Sequence, residues 1–269
     1  MPSALAVWTI RLGVLLTIYV IVAASACLFG CSLIFQPPRS SYRHLEGGLH
    51  LPTAGGHRIY VVHRVTPGAR FTVLFSHGNA EDLGHLDSFL RAYQARGYSV
   101  LAWDYRGYGR STGQPSEEAV NADLKVLYEH LTITRGVDPR TIIAHGRSLG
   151  GASAVELARR YPLGGVILES TFVSAFRVVT RVPLLPCDRF RNLAKLADVR
   201  EPVLVIHGKK DGVVGFWHGR RLYDAVKGPR HRLWVARAGH NDLPEVAGET
   251  YWRAIDDFAA TLETPVERN

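Results

Sequence analysis

The chain has 269 residues and a formal net charge of +8 at pH 7, and 46% of its residues are hydrophobic. This length suits one large globular domain with an appendage, and an aromatic content of 10% excludes a disordered chain. The positive charge comes mostly from arginines that are scattered along the sequence, without the basic and aromatic clusters of a nucleic-acid-binding motif. We therefore expect a globular protein that binds no nucleic acid and that is attracted to anionic membrane surfaces.

The amino-terminal part of the chain is strongly apolar. Residues 12–35 contain no charged residue and are rich in Leu, Ile and Val. A helix of that length can cross a hydrocarbon core of about 30 Å. We predict that residues 1–35 form an N-terminal transmembrane helix that anchors the chain, and that residues 36–269 form one domain. The alternative is a signal peptide that is cleaved near Ala26, or a lipoprotein signal that ends at Cys31.

The side of the membrane that carries the globular domain is weakly indicated. One arginine precedes the apolar segment and several follow it, at positions 39, 43 and 58, which favours a cytoplasmic domain. The chain has three cysteines, of which Cys27 and Cys31 lie in the apolar segment and Cys187 lies in the globular part. This distribution predicts no disulfide framework and leaves the compartment open.

Downstream of residue 38, short apolar runs alternate with longer amphipathic segments. The predicted strands are residues 49–51, 58–65, 71–76, 99–103, 141–144, 165–168, 203–207 and 233–235. The predicted helices are residues 83–95, 117–134, 151–160 and 249–262. The first two strands form a hairpin around Gly55 and Gly56. This alternation predicts an α/β fold with a mostly parallel sheet that helices cover on both faces.

Polar residues follow most of these strands directly. They are residues 77–80, Asp104, Ser148, Glu169, Asp211 and His240. Because the carboxyl ends of parallel strands meet at one edge of a sheet, we expect a functional site at that edge.

The sequence Gly-Arg-Ser-Leu-Gly at 146–150 lies between a predicted strand and an Ala-rich predicted helix. A serine on such a sharp strand-to-helix turn is typical of the nucleophile of α/β-hydrolases. Side chains at Gly146 and Gly150 would clash with neighbouring backbone in so tight a turn. We predict that Ser148 is a catalytic nucleophile.

A serine nucleophile needs a histidine base and an acid that orients the histidine, in the chain order Ser, acid, His. His240 follows the last predicted strand and a glycine, so we predict that it is the base. Asp211 follows the preceding strand and is the predicted acid, with Glu169 as the alternative one strand earlier. His207 lies inside a strand, where a packing role is expected.

The tetrahedral intermediate of such a reaction needs two backbone N–H donors. We predict that Leu149, after the nucleophile, gives one and that Asn79 gives the other. Residues 172–198 interleave apolar residues with arginines, which favours a short cap over an acyl pocket; an ordinary amphipathic helix and loop is the alternative.

Four sequences together resemble those of the membrane-associated α/β-hydrolase-domain serine hydrolases, a group that includes eukaryotic protein depalmitoylases and single-pass bacterial relatives. They are Ser-His-Gly-Asn-Ala-Glu-Asp-Leu-Gly at 76–84, Asp-Tyr-Arg-Gly-Tyr-Gly at 104–109, Gly-Arg-Ser-Leu-Gly at 146–150 and Gly-His-Asn-Asp at 239–242. The resemblance covers about residues 36–262 and implies a triad of Ser148, Asp211 and His240. The depalmitoylases have a cysteine-rich, acylated amino terminus where this chain has an apolar segment.

We therefore expect a membrane-anchored serine hydrolase that cleaves acyl esters or thioesters, of lipids or acylated proteins, without a cofactor or metal ion. A serine peptidase of this fold and a non-catalytic interaction module are the alternatives. Because all the motifs follow Pro37, removal of residues 1–35 is expected to leave a soluble, active hydrolase.

Overall fold

The computed structural model describes the backbone of residues 4–262 and the side chains of residues 8–30 and 32–262. The strands are β1 (Gly48–Thr53), β2 (His57–Arg64), β3 (Thr72–Ser76), β4 (Ser99–Trp103), β5 (Ile142–Arg147), β6 (Gly165–Glu169), β7 (Val203–Gly208) and β8 (Arg230–Val235). The helices are α1 (Ala4–Ile34), α2 (Asp87–Ala95), α3 (Glu117–Glu129), α4 (Gly150–Arg160), α5 (Arg177–Thr180), α6 (Asn192–Lys195), α7 (Trp217–Ala225), α8 (Leu243–Ala247) and α9 (Glu249–Thr261). Short 3₁₀ turns cover Ala54–Gly56, Leu83–Leu86, Pro139–Thr141 and Leu196–Asp198, and a π-helical turn covers His130–Thr134.

The strands form one eight-stranded sheet in the order β1-β2-β4-β3-β5-β6-β7-β8. Strand β2 is antiparallel to both of its neighbours, β1 and β4. Strands β3 to β8 all run parallel. Their carboxyl ends therefore lie at one edge of the sheet, and the predicted α/β-hydrolase fold with a mostly parallel sheet is confirmed.

Helices pack on both faces of the sheet, because alternate strand residues point to opposite faces. Leu74 of β3 lies in one core with Leu124 of α3 and Val155 of α4. Its neighbour Val73 lies in the other core with Ile255 of α9. The parallel strands are buried on both sides and read as continuous apolar runs for that reason.

Helix α7 was not predicted from the sequence. It contains Gly219, which lowers helix propensity in a helix interior. The glycine is needed because a Cβ atom at this position would lie 2.5 Å from Nδ1 of His207 on strand β7. Tertiary contact with the sheet therefore requires a residue that the local helix does not favour.

Helix α1 is longer than the hydrocarbon core of a bilayer requires. Its 31 residues span about 46 Å at 1.5 Å per residue. The stretch Trp8–Gly30 is a candidate membrane span with a mean hydropathy of 2.5, and most of its apolar side chains are exposed. On the carboxyl-terminal part of the helix, Ala23 and Ala26 are buried, as is Phe35 directly after it.

A disulfide joins Cys27 of α1 to Cys187, with the two Cα atoms 5.5 Å apart. The two residues are 160 positions apart in the sequence. The expectation that the cysteines form no disulfide is therefore wrong. Sequence spacing alone did not reveal the pairing, because only the fold brings residue 187 to the surface of α1.

Candidate active site

Ser148 lies on the sharp turn between β5 and α4, as the sequence predicted. Its backbone φ is +51°, a left-handed conformation that is uncommon for residues other than glycine. A Cβ at Gly146 would lie 2.1 Å from the carbonyl oxygen of Gly150, and one at Gly150 would lie 1.9 Å from that of Ser76. The two glycines are thus required by close backbone approach, and they let the turn hold the serine above the sheet.

Ser148, His240 and Asp211 form one continuous chain of hydrogen bonds. Nε2 of His240 lies 3.1 Å from Oγ of Ser148. Nδ1 of the same ring lies 2.7 Å from Oδ2 of Asp211. These distances and the order along the chain match what a serine–histidine–acid arrangement requires.

Asp211 is held as a carboxylate by its surroundings. Burial raises its pKa, but hydrogen bonds from His207, His240 and the backbone N–H of Val214 outweigh that effect and hold the pKa well below its usual range. Its Oδ1 accepts the backbone N–H groups of Val213 at 2.9 Å and Val214 at 2.8 Å. The acid can therefore stay ionised while it orients the histidine.

Glu169, the alternative acid, belongs to a different cluster. Its Oε2 lies 2.9 Å from Nε2 of His145 and accepts the hydroxyl of Tyr251 at 2.6 Å. Tyr93 completes this buried cluster through Nδ1 of His145, at 2.6 Å. Because its carboxylate is hydrogen-bonded to His145 and Tyr251 inside the protein, Glu169 is not in place to orient His240.

His207 does more than the packing role that its place in a strand suggested. Its Nε2 lies 2.8 Å from the carbonyl of Val214 and 3.3 Å from Oδ2 of Asp211. The first contact, to a group that can only accept, places a proton on Nε2. His207 therefore braces the loop that carries Asp211, which only its side-chain position in the fold reveals.

The loop after β3 brings Asn79 to the side of Ser148. Gly78 approaches the nucleophile closely, since a Cβ at this position would lie 3.5 Å from Cβ of Ser148. Neither the backbone N–H of Asn79 nor that of Leu149 donates to another backbone group of the turns and loops among the described residues. Both residues line one cavity with Ser148. The assignment of these two N–H groups as oxyanion donors stays a prediction.

Glu81 and Arg147 shape this loop and were not singled out from the sequence. Oε1 of Glu81 accepts the backbone N–H of Gly78 at 2.5 Å, and its Oε2 accepts Nη2 of Arg147 at 2.6 Å. Burial lowers the pKa of Arg147, but the charges of Glu81 and Glu169 raise the pKa by more than burial lowers it. The guanidinium therefore stays charged. The ion pair ties the loop to the residue next to the nucleophile.

The side chain of Asn79 binds the end of helix α1. Its Nδ2 donates to the carbonyl of Ile34 at 2.5 Å, and its Oδ1 accepts the backbone N–H of Gln36 at 2.9 Å. The hydroxyl of Tyr108 also donates to this oxygen, at 2.6 Å. The junction between the apolar helix and the domain is therefore bonded to the loop beside Ser148.

An apolar cavity of about 480 Å³ lies next to Ser148. Its walls come from α1, from the loop after β3, from the turn that carries Ser148, from the residue 172–198 segment and from the loop after Asp211. The lining residues besides Ser148 are Ala26, Leu33, Ile34, Asn79, Leu149, Phe172, Ala175, Phe176, Val178, Val179, Thr180, Leu185, Val213 and Val214. None of these lining residues is charged. Seven residues of the predicted cap segment thus line the cavity, and α1 is an additional wall that the sequence did not indicate. Among the side chains of residues 8–30 and 32–262, no cluster of three or more His, Cys, Asp or Glu is arranged to hold a metal ion.

Comparison with known proteins identifies the family. Residues 67–187 match the family model described as serine aminopeptidase, S33. Alpha/beta hydrolase domain-containing protein 17B of Homo sapiens is 40% identical over 212 residues, which are 77% of this chain and 73% of that protein. The chain belongs to this α/β-hydrolase-domain family. Alpha/beta hydrolase domain-containing protein 17C of Xenopus tropicalis is 42% identical over 184 residues, which are 67% of this chain and 59% of that protein.

Solved structures support the same fold for this α/β-hydrolase. An esterase of Pyrococcus furiosus has a TM-score of 0.71 at 19% identity, covering 84% of this chain and 98% of its own. The acetyl xylan esterase from Paenibacillus sp. R4 has a TM-score of 0.68 at 16% identity, and the match covers 80% of this chain and 83% of that esterase. The family identifies this chain as a hydrolase, and the solved esterases share its fold.

Proposed function

We propose that this protein is a membrane-anchored serine hydrolase that cleaves acyl esters or thioesters through Ser148, His240 and Asp211. The observation that carries the proposal is the hydrogen-bonded chain from Asp211 to Ser148 at the wall of an uncharged apolar cavity. The apolar, largely exposed surface of the Trp8–Gly30 stretch supports the anchor. An acylated lipid or protein is the substrate class that fits both features.

The first half of the reaction follows from the positions of these groups. Oγ of Ser148 attacks the acyl carbonyl carbon while Nε2 of His240 takes its proton. The negative charge that develops on the carbonyl oxygen is stabilised by the N–H groups of Leu149 and Asn79. Asp211 holds the ring orientation and stabilises the imidazolium. His240 then gives the proton to the leaving alcohol or thiol, which departs as the acyl-enzyme forms.

The second half reverses these roles with water as the nucleophile. His240 takes a proton from the water as it attacks the acyl-enzyme carbonyl, and returns it to Oγ of Ser148 as the acid leaves. The apolar cavity holds the acyl chain during both halves. Its position next to Ser148 supports an apolar acyl group as the part of the substrate that is recognised.

An aminopeptidase activity, which the name of the matching family model suggests, fits this site less well. Such an enzyme must recognise a free α-ammonium group, and an acidic side chain near the nucleophile would do so. The described residues that line the cavity beside Ser148 include no Asp or Glu. The lining favours an uncharged acyl chain over a peptide amino terminus.

Labelling with a fluorophosphonate probe and hydrolysis of p-nitrophenyl esters of graded chain length test the proposal. We expect wild-type protein to be labelled and Ser148→Ala to lose labelling and all but about a millionth of its kcat. Ser170→Ala is a matched control, because its buried hydroxyl lies at the end of the neighbouring strand and has no partner among the described groups. It should keep both signals. Labelling of Ser148→Ala would contradict the assignment, and absence of labelling in the wild type would favour a non-catalytic protein.

A further inference from the structure

The cap, residues 172–198, lies along the side of helix α1. The hydroxyl of Tyr19 donates to the carbonyl of Leu184 at 2.9 Å. Cys27 is bonded to Cys187. A Cβ at Gly30 would lie 3.0 Å from Cζ of Phe176. These contacts extend over about 16 Å of the helix axis, at 1.5 Å per residue from Tyr19 to Gly30.

The cap therefore reaches the level of the candidate membrane span. Tyr19 and Gly30 both lie within the Trp8–Gly30 stretch, whose other side chains are mostly exposed and apolar. If this stretch is in a bilayer, whatever packs against it between these two residues lies at the depth of one leaflet. The contact with α1 thus sets the depth of the cap.

The surface of the cap beside α1 has the composition of a membrane-inserting loop. Val179 is 85% exposed, and Val182 and Leu184 are about half exposed; we name these three residues the apolar cap face. Arg181 is exposed next to it, and Arg177 stacks on Trp217 nearby. Such apolar residues can insert into the acyl region of a leaflet while the neighbouring arginines bind anionic headgroups at its surface.

The cavity beside Ser148 opens on the same side. Leu33, Val179 and Val213 line it and are each more than half exposed, so they mark its mouth. They come from α1, from the cap and from the loop after Asp211. The mouth therefore lies where the apolar cap face meets the helix.

We propose that the apolar cap face inserts into the leaflet next to α1, and that an acyl chain of a lipid-embedded ester enters the cavity from that leaflet through the mouth at Leu33, Val179 and Val213. The apolar cap face is continuous with the apolar surface of α1, so a bilayer is the partner that would cover both surfaces. The acyl-cleaving part of this inference rests on the proposed function, whereas insertion does not.

A crosslinking experiment tests insertion independently of catalysis. The full chain is reconstituted in vesicles of phosphatidylcholine and phosphatidylglycerol with p-benzoylphenylalanine at position 182, or at position 133 as the control. Ile133 is 76% exposed but lies in the π-helical turn after α3. We expect phospholipid adducts from position 182 and none from position 133. Adducts between two copies of the chain from position 182, or no lipid adduct there, would overturn the proposal.

A pair of charged variants tests the route of the acyl chain. Val182→Asp with Leu184→Asp should lower hydrolysis of a long-chain ester in the vesicles by about 10-fold or more, because carboxylates enter a leaflet poorly. Hydrolysis of a short soluble ester should not change, which shows that the variant is folded. Val65→Asp with Ile133→Asp is the matched control on exposed apolar residues elsewhere. An equal loss on both esters, or none on either, would contradict entry from the leaflet.

The disulfide carries a second inference by itself. Disulfides persist in secreted, lumenal and periplasmic environments and are rare in reducing cytosol. From the Cys27–Cys187 bond, we infer that the catalytic domain lies on the oxidising side of the membrane, with the start of α1 on the cytoplasmic side. This is opposite to the side that the arginine count favoured. The bond also fixes the cap to α1 covalently.

Thiol counting on isolated membranes tests this second inference. After alkylation of accessible thiols under denaturing conditions, reduction should expose two further thiols per wild-type chain and none in Cys27→Ala or Cys187→Ala. Alkaline phosphatase is active only after export from the cytoplasm. A fusion of this enzyme after residue 269 should therefore be active. A fusion that is inactive, or a wild-type chain that gains no thiols on reduction, would overturn the assignment. Reduction should also lower turnover of the vesicle-embedded ester in the wild type but not in Cys187→Ala.

Discussion

At the scale of single residues, the strained conformation of Ser148 is held by its neighbours. Its backbone N–H donates to the carbonyl of Glu169 at 2.8 Å, and its carbonyl accepts the hydroxyl of Thr171 at 2.6 Å. Both partners lie at the end of strand β6 or directly after it. A left-handed backbone at a residue other than glycine persists only when its surroundings hold it in this way. Strand β6 and the residues after it therefore hold the backbone of the nucleophile in this conformation.

The choice between two acids leads to a first prediction. Asp211→Asn should lower kcat for a short ester by about 10³ to 10⁴, because the amide no longer fixes the tautomer and orientation of His240. Glu169→Gln should lower kcat by less than about 10-fold, since Glu169 is bonded to His145 and Tyr251 instead. Steady-state kinetics of both purified variants measure this. A larger loss for Glu169→Gln would move the acid to strand β6.

The side chain of Asn79 gives a second prediction. Asn79→Ala keeps the backbone N–H but removes the bonds to Ile34, Gln36 and Tyr108. We expect kcat to fall by about 10-fold, less than the 10² to 10³ for loss of an oxyanion donor, with KM nearly unchanged.

Tyr108→Phe is the control for this prediction, because it removes one bond to Asn79 Oδ1 and leaves Ile34 bound. Its kcat should fall less than that of Asn79→Ala. An Asn79→Ala protein with wild-type kcat would show that the loop beside Ser148 needs no support from α1.

At the scale of elements, one lysine connects the cap to the helices behind the nucleophile. Nζ of Lys195 in α6 lies 2.9 Å from a carboxylate oxygen of Glu156 in α4 and 2.9 Å from one of Glu117 in α3. Arg159 and Arg160 also bind Glu156. Burial raises the pKa of Glu156, but hydrogen bonds from these three cations outweigh burial and lower the pKa from 4.5 to about 2.

The lowered pKa of Glu156 gives a third prediction, on stability. Because the folded pKa is below the unfolded value, the stabilisation is present above about pH 4.5 and is lost as the pH falls toward about 2. Glu156→Gln should lower the free energy of unfolding by about 1–3 kcal/mol at pH 7. The difference from the wild type should be about 1 kcal/mol smaller at pH 3.5 than at pH 7.

Urea unfolding at both pH values measures this difference. Glu129→Gln is the control, since Glu129 is an exposed partner of Lys125 at 3.7 Å. It should change the free energy of unfolding by less than about 0.5 kcal/mol at either pH. A Glu156→Gln difference that is the same at both pH values would contradict the linkage.

At the scale of the whole molecule, α1 and the catalytic domain share a core. Phe35 contacts Tyr105, Tyr108 and Phe190 edge-on, with ring centroids 5.9–6.4 Å apart. Leu33 and Ile34 line the cavity beside Ser148. These contacts argue against the expectation that residues 1–35 can be removed without loss. The boundary at residue 35 stays a prediction, and contacts across it extend back to Tyr19, which donates to the carbonyl of Leu184.

Two truncations give a fourth prediction. A chain without residues 1–22 keeps Cys27 and Phe35 and should hydrolyse short soluble esters at a rate near that of the full chain. A chain without residues 1–35 loses a buried aromatic side chain, which usually costs about 3–5 kcal/mol, and a wall of the cavity. We expect its melting temperature and its kcat both to fall. Equal activity and melting temperature of the two truncations would show that α1 is only an anchor.

The sequence by itself determined the fold and the candidate site, because both are written in local patterns. Buried parallel strands are continuous apolar runs, and the turn at Ser148 needs glycines at fixed positions. The order of Ser148, Asp211 and His240 along the chain is enough to predict their roles in this fold. Helix α7 was not predictable in this way, because Gly219 lowers its local helix propensity and is required by the close approach to His207.

Only the tertiary structure decided what lies around that site. The pairing of Cys27 with Cys187, the bond from Asn79 to Ile34 and the wall that α1 adds to the cavity all join residues far apart in the chain. No spacing encodes such contacts, because they depend on where the whole fold brings two surfaces together. The length of the apolar segment predicts an anchor from the sequence. Only the tertiary structure shows that the last turns of α1 line the cavity beside Ser148.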